Sequence, residues 1–448
     1  MSFFDIAILL FTLELIFNKY ISNKVFLYSL YLSFITALSQ IIFVGYKWQY
    51  MPLYLIIFIF SIKYTFQIKI LNRYLKFLSI TFLLITFSTS ALLIYFLPVP
   101  NFSSQNGDYS VGINQIIIEL DKNNPSAFVE ISTLETDTKR KLAVDIYYPT
   151  TDETKVIQLV KNSDNNWGQF VVKYLNRAWQ LSIPEFLLNH LQLSSFNVKV
   201  NANPISENLP VVIYSHGWAG EKIFAVDQLM NLASNGYYVV AINHTGVAMF
   251  SDLSGQLILN TNSSDESVDV VQVMSGMAND IEDTVDYLQS NNYKADFNSI
   301  SVMGHSTGAG AIHLYCLQNN CKSLILHDPF LTPIFEKYGE FEVIDNTYFI
   351  YSEDWYLNNF DTEQVTEIGV FNSINSEKNY EGYYLIESKH YDFVAFGVIS
   401  PLTRYTFLKG NITYVDSLTT NNYFNLQAIK NSIIEETAFL KKIDTKWN

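Results

Sequence analysis

The sequence predicts a protein of the α/β class, with a mostly parallel sheet covered by helices, preceded by an N-terminal transmembrane helical region. Beyond residue 112, short apolar runs typical of buried strands alternate with helical patterns. Repeated strand–helix–strand units of this kind form parallel sheets with helices on both faces. Before residue 98, long apolar runs dominate. A chain of 448 residues has room for both parts.

The N-terminal region contains four apolar runs, at residues 3–17, 25–44, 51–66 and 75–97. The second and fourth approach the ~20 residues that a bilayer requires. The first is shorter and contains Asp5 and Glu14. We therefore expect a transmembrane region of about four helices over residues 1–98, followed by a linker over 99–111 and a globular domain over 112–448.

Positive charge predicts the orientation of this region. One basic loop carries Lys19 and Lys24, and a second carries Lys69, Arg73 and Lys76. The positive-inside rule assigns both loops to the cytoplasm. With four spans, the chain is a multi-pass integral membrane protein whose N-terminus and large domain are extracytoplasmic; an odd number of spans would reverse one end.

The two cysteines, Cys316 and Cys321, leave two interpretations open. In an extracytoplasmic domain they are able to form a disulfide. In a reducing compartment they would be two ordinary thiols. Two cysteines are too few for a disulfide scaffold in a chain of this length.

Composition excludes several classes of function. Apolar residues make up 49% of the chain and charged residues only 16%, against about a quarter in ordinary soluble proteins. Residues 1–98 hold seven of the 28 Lys and Arg residues but only two of the 43 acidic ones, so the remainder is strongly acidic. Such a surface repels nucleic acid. No zinc spacing, EF-hand or P-loop is present, so we expect neither a metal nor another cofactor. The sequence does not indicate the oligomeric state.

The globular domain shows a regular alternation of predicted elements. Strand patterns lie at 141–148, 209–214, 237–242, 299–303, 323–326, 347–351 and 383–386, and helical patterns at 223–233, at 271–288 and after residue 306. Two segments interrupt the alternation. The insertion 150–208 includes an aromatic-rich amphipathic stretch, 167–196, which suits a lipid surface, a cap over a pocket or packing against the sheet. The polar segment 245–268 is predicted to be a surface loop.

The nucleophile motif Gly304-His305-Ser306-Thr307-Gly308 follows a predicted strand and precedes a helical pattern. This context is that of a nucleophile elbow, in which a sharp, strained turn exposes the serine hydroxyl above the sheet. The following helix directs its positive N-terminal end towards a developing oxyanion. We therefore predict that Ser306 is a nucleophile in an α/β-hydrolase fold.

The same fold predicts the other catalytic groups. The oxyanion donors are expected to be the N–H of Thr307 and the N–H of Trp218, in the loop after strand 209–214. The triad order is serine, acid, histidine, and His390 is the only histidine beyond residue 327. The acid is either Asp328, at the end of strand 323–326, or the pair Glu353/Asp354 after the next strand. Both positions are strand ends, so spacing alone does not choose between them.

Several stretches resemble the plasma-type platelet-activating factor acetylhydrolases, also called lipoprotein-associated phospholipase A2, and their bacterial relatives. The resemblance covers roughly residues 112–440. It rests on KLAVDIYYPT (141–150), LPVVIYSHGW (209–218), LASNGYYVVAINH (232–244), ISVMGHSTGAG (300–310), LILHDPF (324–330), YFIYSED (348–354) and SKHYDF (388–393). The family's acid follows the strand after the nucleophile helix, which implies Asp328. The resemblance also implies calcium-independent hydrolysis of short or oxidised acyl chains at the second glycerol position of phospholipids.

The sequence departs from the family in three places. Thr307-Gly308-Ala309 stands where the family usually has an aromatic residue and two glycines. The four apolar runs are not part of the plasma-type pattern, and segment 150–208 aligns poorly. The expected function is a serine carboxylic ester hydrolase that acts on phospholipid esters at a lipid membrane. The alternatives are a general esterase for non-lipid esters, an acyltransferase, or a non-catalytic membrane-anchored binding protein.

Overall fold

The computed structural model describes residues 2–68, 72–102, 106–120, 140–153, 155–157, 167–178, 180–253, 256–260, 269–338, 344–358, 380–385, 388, 390–394 and 426–447. These parts of the chain comprise a bundle of N-terminal helices and a larger sheet-based domain.

Each of the four N-terminal apolar runs forms a helix: α1 (Phe3–Ile16), α2 (Asn23–Phe43), α3 (Met51–Thr65) and α4 (Arg73–Phe96). Side chains of Ser22 and Asn72 cap α2 and α4, which explains why these helices begin where they do. Among the described residues, only α2 and α4 are long and apolar enough to cross a membrane. The other two have 14 and 15 residues, below the ~20 that a bilayer requires.

The bundle has its own apolar core and an apolar outer surface. Ile8, Leu53 and Phe60 are among the side chains buried between the helices. Large apolar side chains nevertheless face outwards all along α2 and α4: Tyr31, Phe34, Ile35, Ile42, Phe77, Leu78, Ile85 and Leu92. An apolar surface of this extent marks contact with a membrane or with another apolar partner.

The large domain is built on one extended sheet. Its strands, together with those of a separate hairpin, are β1 (Asn101–Phe102), β2 (Ser110–Glu119), β3 (Lys141–Thr150), β4 (Lys155–Ile157), β5 (Ser195–Val200), β6 (Leu209–Ser215), β7 (Tyr238–Asn243), β8 (Phe250–Leu253), β9 (Gln256–Leu259), β10 (Ala295–His305), β11 (Cys321–His327), β12 (Thr347–Ser352) and β13 (Tyr380–Leu385). The order is β1-β5-β2-β3-β7-β6-β10-β11-β12-β13, with β4 paired to β5 and β8 paired to β9. From β7 to β13 every neighbouring pair is parallel, which confirms the predicted, mostly parallel sheet.

Helices cover both faces of this sheet. They are α5 (Trp167–Ala178), α6 (Val226–Ser234), α7 (Val270–Ser290), α8 (Thr307–Gln318), α9 (Thr332–Tyr338), α10 (Glu353–Asn358) and α11 (Leu426–Trp447). Successive residues of a strand point to opposite faces, so Val211 and Ile213 of β6 pack in the core with α7 and α8. Val212 and Tyr214 pack in the core with α6 and α11. A strand buried on both faces explains the unbroken apolar run 209–214.

The structure corrects two predictions. Segment 245–268 was expected to be a surface loop, but it contains the hairpin β8–β9, in which Phe250 and Leu253 are buried; residues 261–268 lie outside the described residues. The linker 99–111 is shorter than expected, because Asn101–Phe102 pairs with β5 and β2 begins at Ser110. Polar composition concealed both: paired backbone and a few apolar side chains are enough to bury a segment.

The insertion 150–208 contributes to the sheet as well as to its surroundings. Its strand β5 pairs with β2, and β4 pairs with β5. The amphipathic stretch forms α5 and a 3-10 helix, Glu185–Leu193. The insertion therefore extends the edge of the sheet and places a helix beside it.

The topology also locates a crevice. From β6 the chain crosses to β7 on one side, and β10 lies on the other side of β6. Where the strand order reverses in this way, the loops after the two strands separate and leave a crevice at their carboxyl ends. The loop after β6 and Ser306 after β10 both lie at this crevice.

Candidate active site

Ser306 occupies a strained turn between β10 and α8. Its φ is 54° and its ψ −122°, a region that non-glycine residues rarely adopt. The turn is fixed by backbone hydrogen bonds: the N–H of Ser306 donates to the carbonyl of His327 at 2.9 Å, and the N–H of Phe330 donates to the carbonyl of Ser306 at 3.1 Å. Strain held in this way by the surroundings is typical of functional sites. The side chain of Ser306 remains partly exposed.

Two close approaches explain the glycines around the turn. A Cβ at Gly308 would lie 2.3 Å from the carbonyl oxygen of Ser215 and 2.4 Å from that of His216. A Cβ at Gly217 would lie 3.0 Å from the Cβ of Ser306. Since only glycine leaves room at such contacts, the first turn of α8 packs directly on the end of β6, and the loop after β6 runs beside Ser306.

The structure brings His390 and Asp328 together. The Nδ1 of His390 lies 3.1 Å from Oδ2 of Asp328. The Asp328 side chain is fully buried and accepts hydrogen bonds of 2.6 Å from both the N–H and the hydroxyl of Ser352. A carboxyl group held in place by these donors is able to orient the imidazole of His390.

Two neighbours hold His390, one through its ring and the other through its backbone. The indole of Trp355 stacks on the His390 ring, with ring centroids 4.2 Å apart. The Nε2 of His305 donates a 2.9 Å hydrogen bond to the backbone carbonyl of His390. Burial, reinforced by His390, lowers the pKa of His305 well below its usual value. His305 is therefore neutral, and its single N–H serves to position the His390 backbone.

Ser306 is connected to this pair through its neighbours in the chain. Its backbone binds His327, the residue before Asp328. The ring of His305, the residue before Ser306, lies 4.6 Å from the ring of His390. No hydrogen bond joins the Ser306 hydroxyl to His390, although both residues belong to the described part of the chain. Such bonds are often loose without substrate and tighten in the complex.

The alternative acids are placed differently. Glu353 begins α10, and its backbone N–H donates to the Ser388 hydroxyl at 3.1 Å; the side chain of Asp354 lies outside the described residues. The contact with His390 is thus made by Asp328. Sequence reasoning offered both positions because each follows a strand.

The two predicted oxyanion donors lie on either side of Ser306. Thr307 is the first residue of α8, where a backbone N–H has no intrahelical acceptor. In the loop after β6, the N–H groups of Ala219 and Gly220 donate to the carbonyls of Val247 and Gly217. Neither of these two N–H groups is therefore available to an oxyanion, and the N–H of Trp218 stays a prediction from the fold.

Sequence reasoning missed the residues that support the histidine and the acid. Ser352 ends strand β12 and Trp355 lies in α10, but a serine and a tryptophan at these positions carry no distinctive signal. Phe393 stacks on His327 at 4.8 Å, and Oε1 of Glu436 on α11 lies 2.8 Å from Nε2 of His327. These contacts join segments that are far apart in the sequence, so only the fold unites them.

The amphipathic helix α5 packs against protein. Its side chains Trp167 and Phe170 are buried in an apolar cluster with Phe224 and Phe250, and Tyr391 also packs against this cluster. This cluster adjoins both the loop after β6 and the histidine loop. Of the three interpretations of the segment, packing against the domain describes the apolar face of α5. Trp179 lies outside the described residues.

Comparison with known proteins supports the family resemblance and the fold. Residues 98–252 match the family described as platelet-activating factor acetylhydrolase, isoform II; this match includes Trp218 and ends before Ser306. A ferulic acid esterase from Streptomyces cinnamoneus has a similar structure, with a TM-score of 0.55, 17% sequence identity and coverage of 77% of this chain and 92% of its own. No curated protein sequence matches. The findings confirm a resemblance to platelet-activating factor acetylhydrolases and an α/β-hydrolase fold.

Proposed function

We propose that this relative of the platelet-activating factor acetylhydrolases is a serine carboxylic ester hydrolase with Ser306 as nucleophile, His390 as base and Asp328 as acid. The observation that carries the proposal is the buried Asp328–His390 contact beside a serine with φ of 54°. Structural support by Ser352 and Trp355 gives this arrangement the fixed geometry that nucleophilic catalysis needs.

The proposed mechanism is acyl transfer in two steps. His390 takes the Ser306 hydroxyl proton through Nε2, while Nδ1–H donates to Asp328, and the serine oxygen attacks the ester carbonyl. The backbone N–H groups of Thr307 and Trp218 donate to the oxyanion. The alcohol leaves with the proton from His390 and the acyl group stays on Ser306. Water, deprotonated by His390, then releases the carboxylic acid.

The proposed substrates are phospholipids with a short or oxidised acyl chain. Two findings support this class: the family match over residues 98–252 and the motifs from residue 141 to residue 393. A panel of esters that varies acyl length with a constant head group tests the assignment.

The decisive test of the hydrolase proposal is covalent labelling. A fluorophosphonate probe should label the full-length protein in detergent, and Ser306→Ala should abolish the labelling. Ser301→Ala is the control, because Ser301 is a buried serine of β10, the strand that leads to Ser306. Its labelling should equal that of the wild type. Unchanged labelling of Ser306→Ala would mean that another residue reacts and would overturn the assignment.

We further propose that α1–α4 form a multi-pass membrane anchor that holds the hydrolase domain outside the cytoplasm. The exposed apolar side chains of α2 and α4 support it. So does the disulfide between Cys316 and Cys321, because such bonds persist in oxidising compartments. The loop between α2 and α3 touches the hydrolase domain: the Trp48 indole N–H donates to the Leu187 carbonyl at 3.0 Å. An extracytoplasmic domain would therefore sit close to the bilayer.

A reporter that is active only outside the cytoplasm tests this topology. Fused after Pro100, beyond α4, it should be active. Fused after Phe66, in the second basic loop, it should be silent, and this fusion is the matched control. A silent reporter after Pro100 with an active one after Phe66 would reverse the proposed orientation.

A further inference from the structure

A second set of hydrogen-bonded serine, histidine and aspartate side chains lies inside the domain, away from Ser306. The hydroxyl of Ser215 lies 3.0 Å from Nε2 of His244, and Nδ1 of His244 lies 3.0 Å from Oδ2 of Asp280. Arg140 donates to the same carboxylate oxygen at 2.6 Å. The four residues come from the end of β6, the residue after β7, the helix α7 and the residue before β3. Nothing in the sequence pattern connects them.

This hydrogen-bonded network is too deeply buried to react with a substrate. Ser215 and His244 are completely inaccessible to solvent, and Asp280 is 3% exposed. Burial opposes ionisation of Asp280, but Arg140 and His244 outweigh it and lower the pKa of the carboxyl below its usual value. The ionised carboxylate accepts the Nδ1–H of His244, and Nε2 of the same ring pairs with the Ser215 hydroxyl. Both ring nitrogens of His244 thus have a buried partner.

The hydrogen-bonded network of Ser215, His244 and Asp280 reaches the loop that carries the proposed oxyanion donor Trp218. Ser215 is the last residue of β6. The backbone N–H of His244 donates to Nε2 of His216 at 3.1 Å, and Nδ1 of His216 contacts the Gly217 carbonyl at 2.7 Å. Burial, reinforced by His244, lowers the pKa of His216 to about 3. The ring is therefore neutral, with Nε2 as acceptor and Nδ1–H as donor to Gly217.

The far end of the same loop is held separately. The N–H of Ala219, a residue with φ of 51°, donates to the Val247 carbonyl at 3.0 Å. Beyond it, the ammonium of Lys222 lies 3.1 Å from the carboxylate of Asp145 on β3, and both side chains are largely buried. On its inner side the loop start abuts Gly308 of the nucleophile helix. The backbone of residues 215–222 thus has little freedom to move.

We propose that Ser215, His244 and Asp280 are positioning residues that set the oxyanion loop at the correct distance from Ser306. The inference rests on the proposed hydrolase function. An oxyanion donor is effective only when it lies about 2.7–3.1 Å from the position that the oxyanion will occupy. Because this contact strengthens in the transition state, a displaced donor lowers the rate of the chemical steps and leaves substrate binding nearly unchanged.

The first test is Ser215→Ala, assayed in the full-length protein with a soluble p-nitrophenyl ester. We expect kcat to fall about 10-fold, a fraction of the ~10²–10³ that loss of a whole donor costs, with KM within about twofold of the wild type. Both acylation and deacylation use the oxyanion site, so the split holds whichever step limits the rate. Ser323→Ala is the matched control: Ser323 is a fully buried strand serine that donates to Ser301 at 2.8 Å, away from the oxyanion loop. Its kcat should be unchanged.

The second test asks whether the residues act as one unit. Asp280→Asn should also lower kcat, and the double variant Ser215→Ala/Asp280→Asn should be no slower than Asp280→Asn alone. Residues of one hydrogen-bonded network show such non-additivity, whereas independent sites give losses that multiply. Thermal unfolding midpoints of all variants establish that the comparison is made on folded protein.

The outcomes separate the two proposals. If the wild type neither hydrolyses esters nor labels at Ser306, the hydrolase function itself is wrong. If the wild type is active but Ser215→Ala matches Ser323→Ala in kcat, or raises KM at constant kcat, the positioning role is wrong. Losses of Ser215→Ala and Asp280→Asn that multiply would also overturn it.

Discussion

Replacing Asp328 with asparagine should lower kcat for a soluble ester by about 10⁴-fold while the protein remains folded. Asparagine has nearly the same shape, but it lacks the charge that stabilises the imidazolium formed when Ser306 loses its proton. The N–H and hydroxyl of Ser352 both donate to the acid at 2.6 Å. The amide NH₂ of asparagine is itself a donor, so it cannot accept either of these hydrogen bonds. The measurement is steady-state kinetics with a p-nitrophenyl ester, together with fluorophosphonate labelling rates.

The control for this prediction is Glu353→Gln. Glu353 was the other acid candidate with a described side chain, and it begins α10 directly after β12. Because the contact with His390 is made by Asp328, we expect Glu353→Gln to retain kcat within about threefold. A larger loss in Glu353→Gln than in Asp328→Asn would transfer the acid role to the end of β12.

The second large effect is on stability in mild acid. Four buried histidines have a strongly lowered pKa, chiefly because burial disfavours the charged ring: that of His190 is lowered to about 4, those of His216 and His313 to about 3, and that of His305 well below its usual value. In the unfolded chain each titrates near 6.5. Between pH 6.5 and these lower values the unfolded state binds more protons, so the free energy of unfolding decreases as the pH falls.

From pH 7 to pH 5 each of these histidines should remove about 2 kcal/mol from the free energy of unfolding. Aspartates and glutamates titrate mainly below this window, so the histidines dominate it. Thermal unfolding of the full-length protein in detergent at the two pH values measures the effect. His313→Gln, which substitutes a neutral polar side chain that does not titrate, should reduce the pH dependence by about one quarter. A midpoint that does not change between pH 7 and pH 5 would contradict the prediction.

Local sequence signals predicted the elements in which one physical cause dominates. Strands β6 and β10 are buried on both faces, so the unbroken apolar run at 209–214 and the run at 300–303, interrupted only by Ser301, identify them without further information. The nucleophile turn was predictable because Ser306 and Gly308, the glycine that the close packing of the turn requires, lie within the same five residues of sequence. The donor positions and triad order of the fold carried the prediction further, to Trp218 and His390, and the family resemblance implied Asp328.

The hairpin β8–β9 illustrates where local signals fail. Its segment is rich in serine and asparagine, which suggested a solvated loop. Ser251 is nevertheless completely buried, and Asn243 donates to its hydroxyl at 3.2 Å. A polar side chain is buried without penalty when a partner meets it, and the partner of Ser251 is fixed by the tertiary structure.

The sequence by itself determined the α/β class, the apolar N-terminal helices and the identities of Ser306 and His390 as candidates, because each depends on the order of residues within a short window. Only the tertiary structure placed Asp328, and not Glu353, in contact with His390. Ser352 and Trp355 support this pair. The tertiary structure also joined Ser215, His244 and Asp280 in one hydrogen-bonded network behind the oxyanion loop. The physical reason is range. Hydrogen bonds act over about 3 Å in space, and the chain can bring residues together across any separation in sequence.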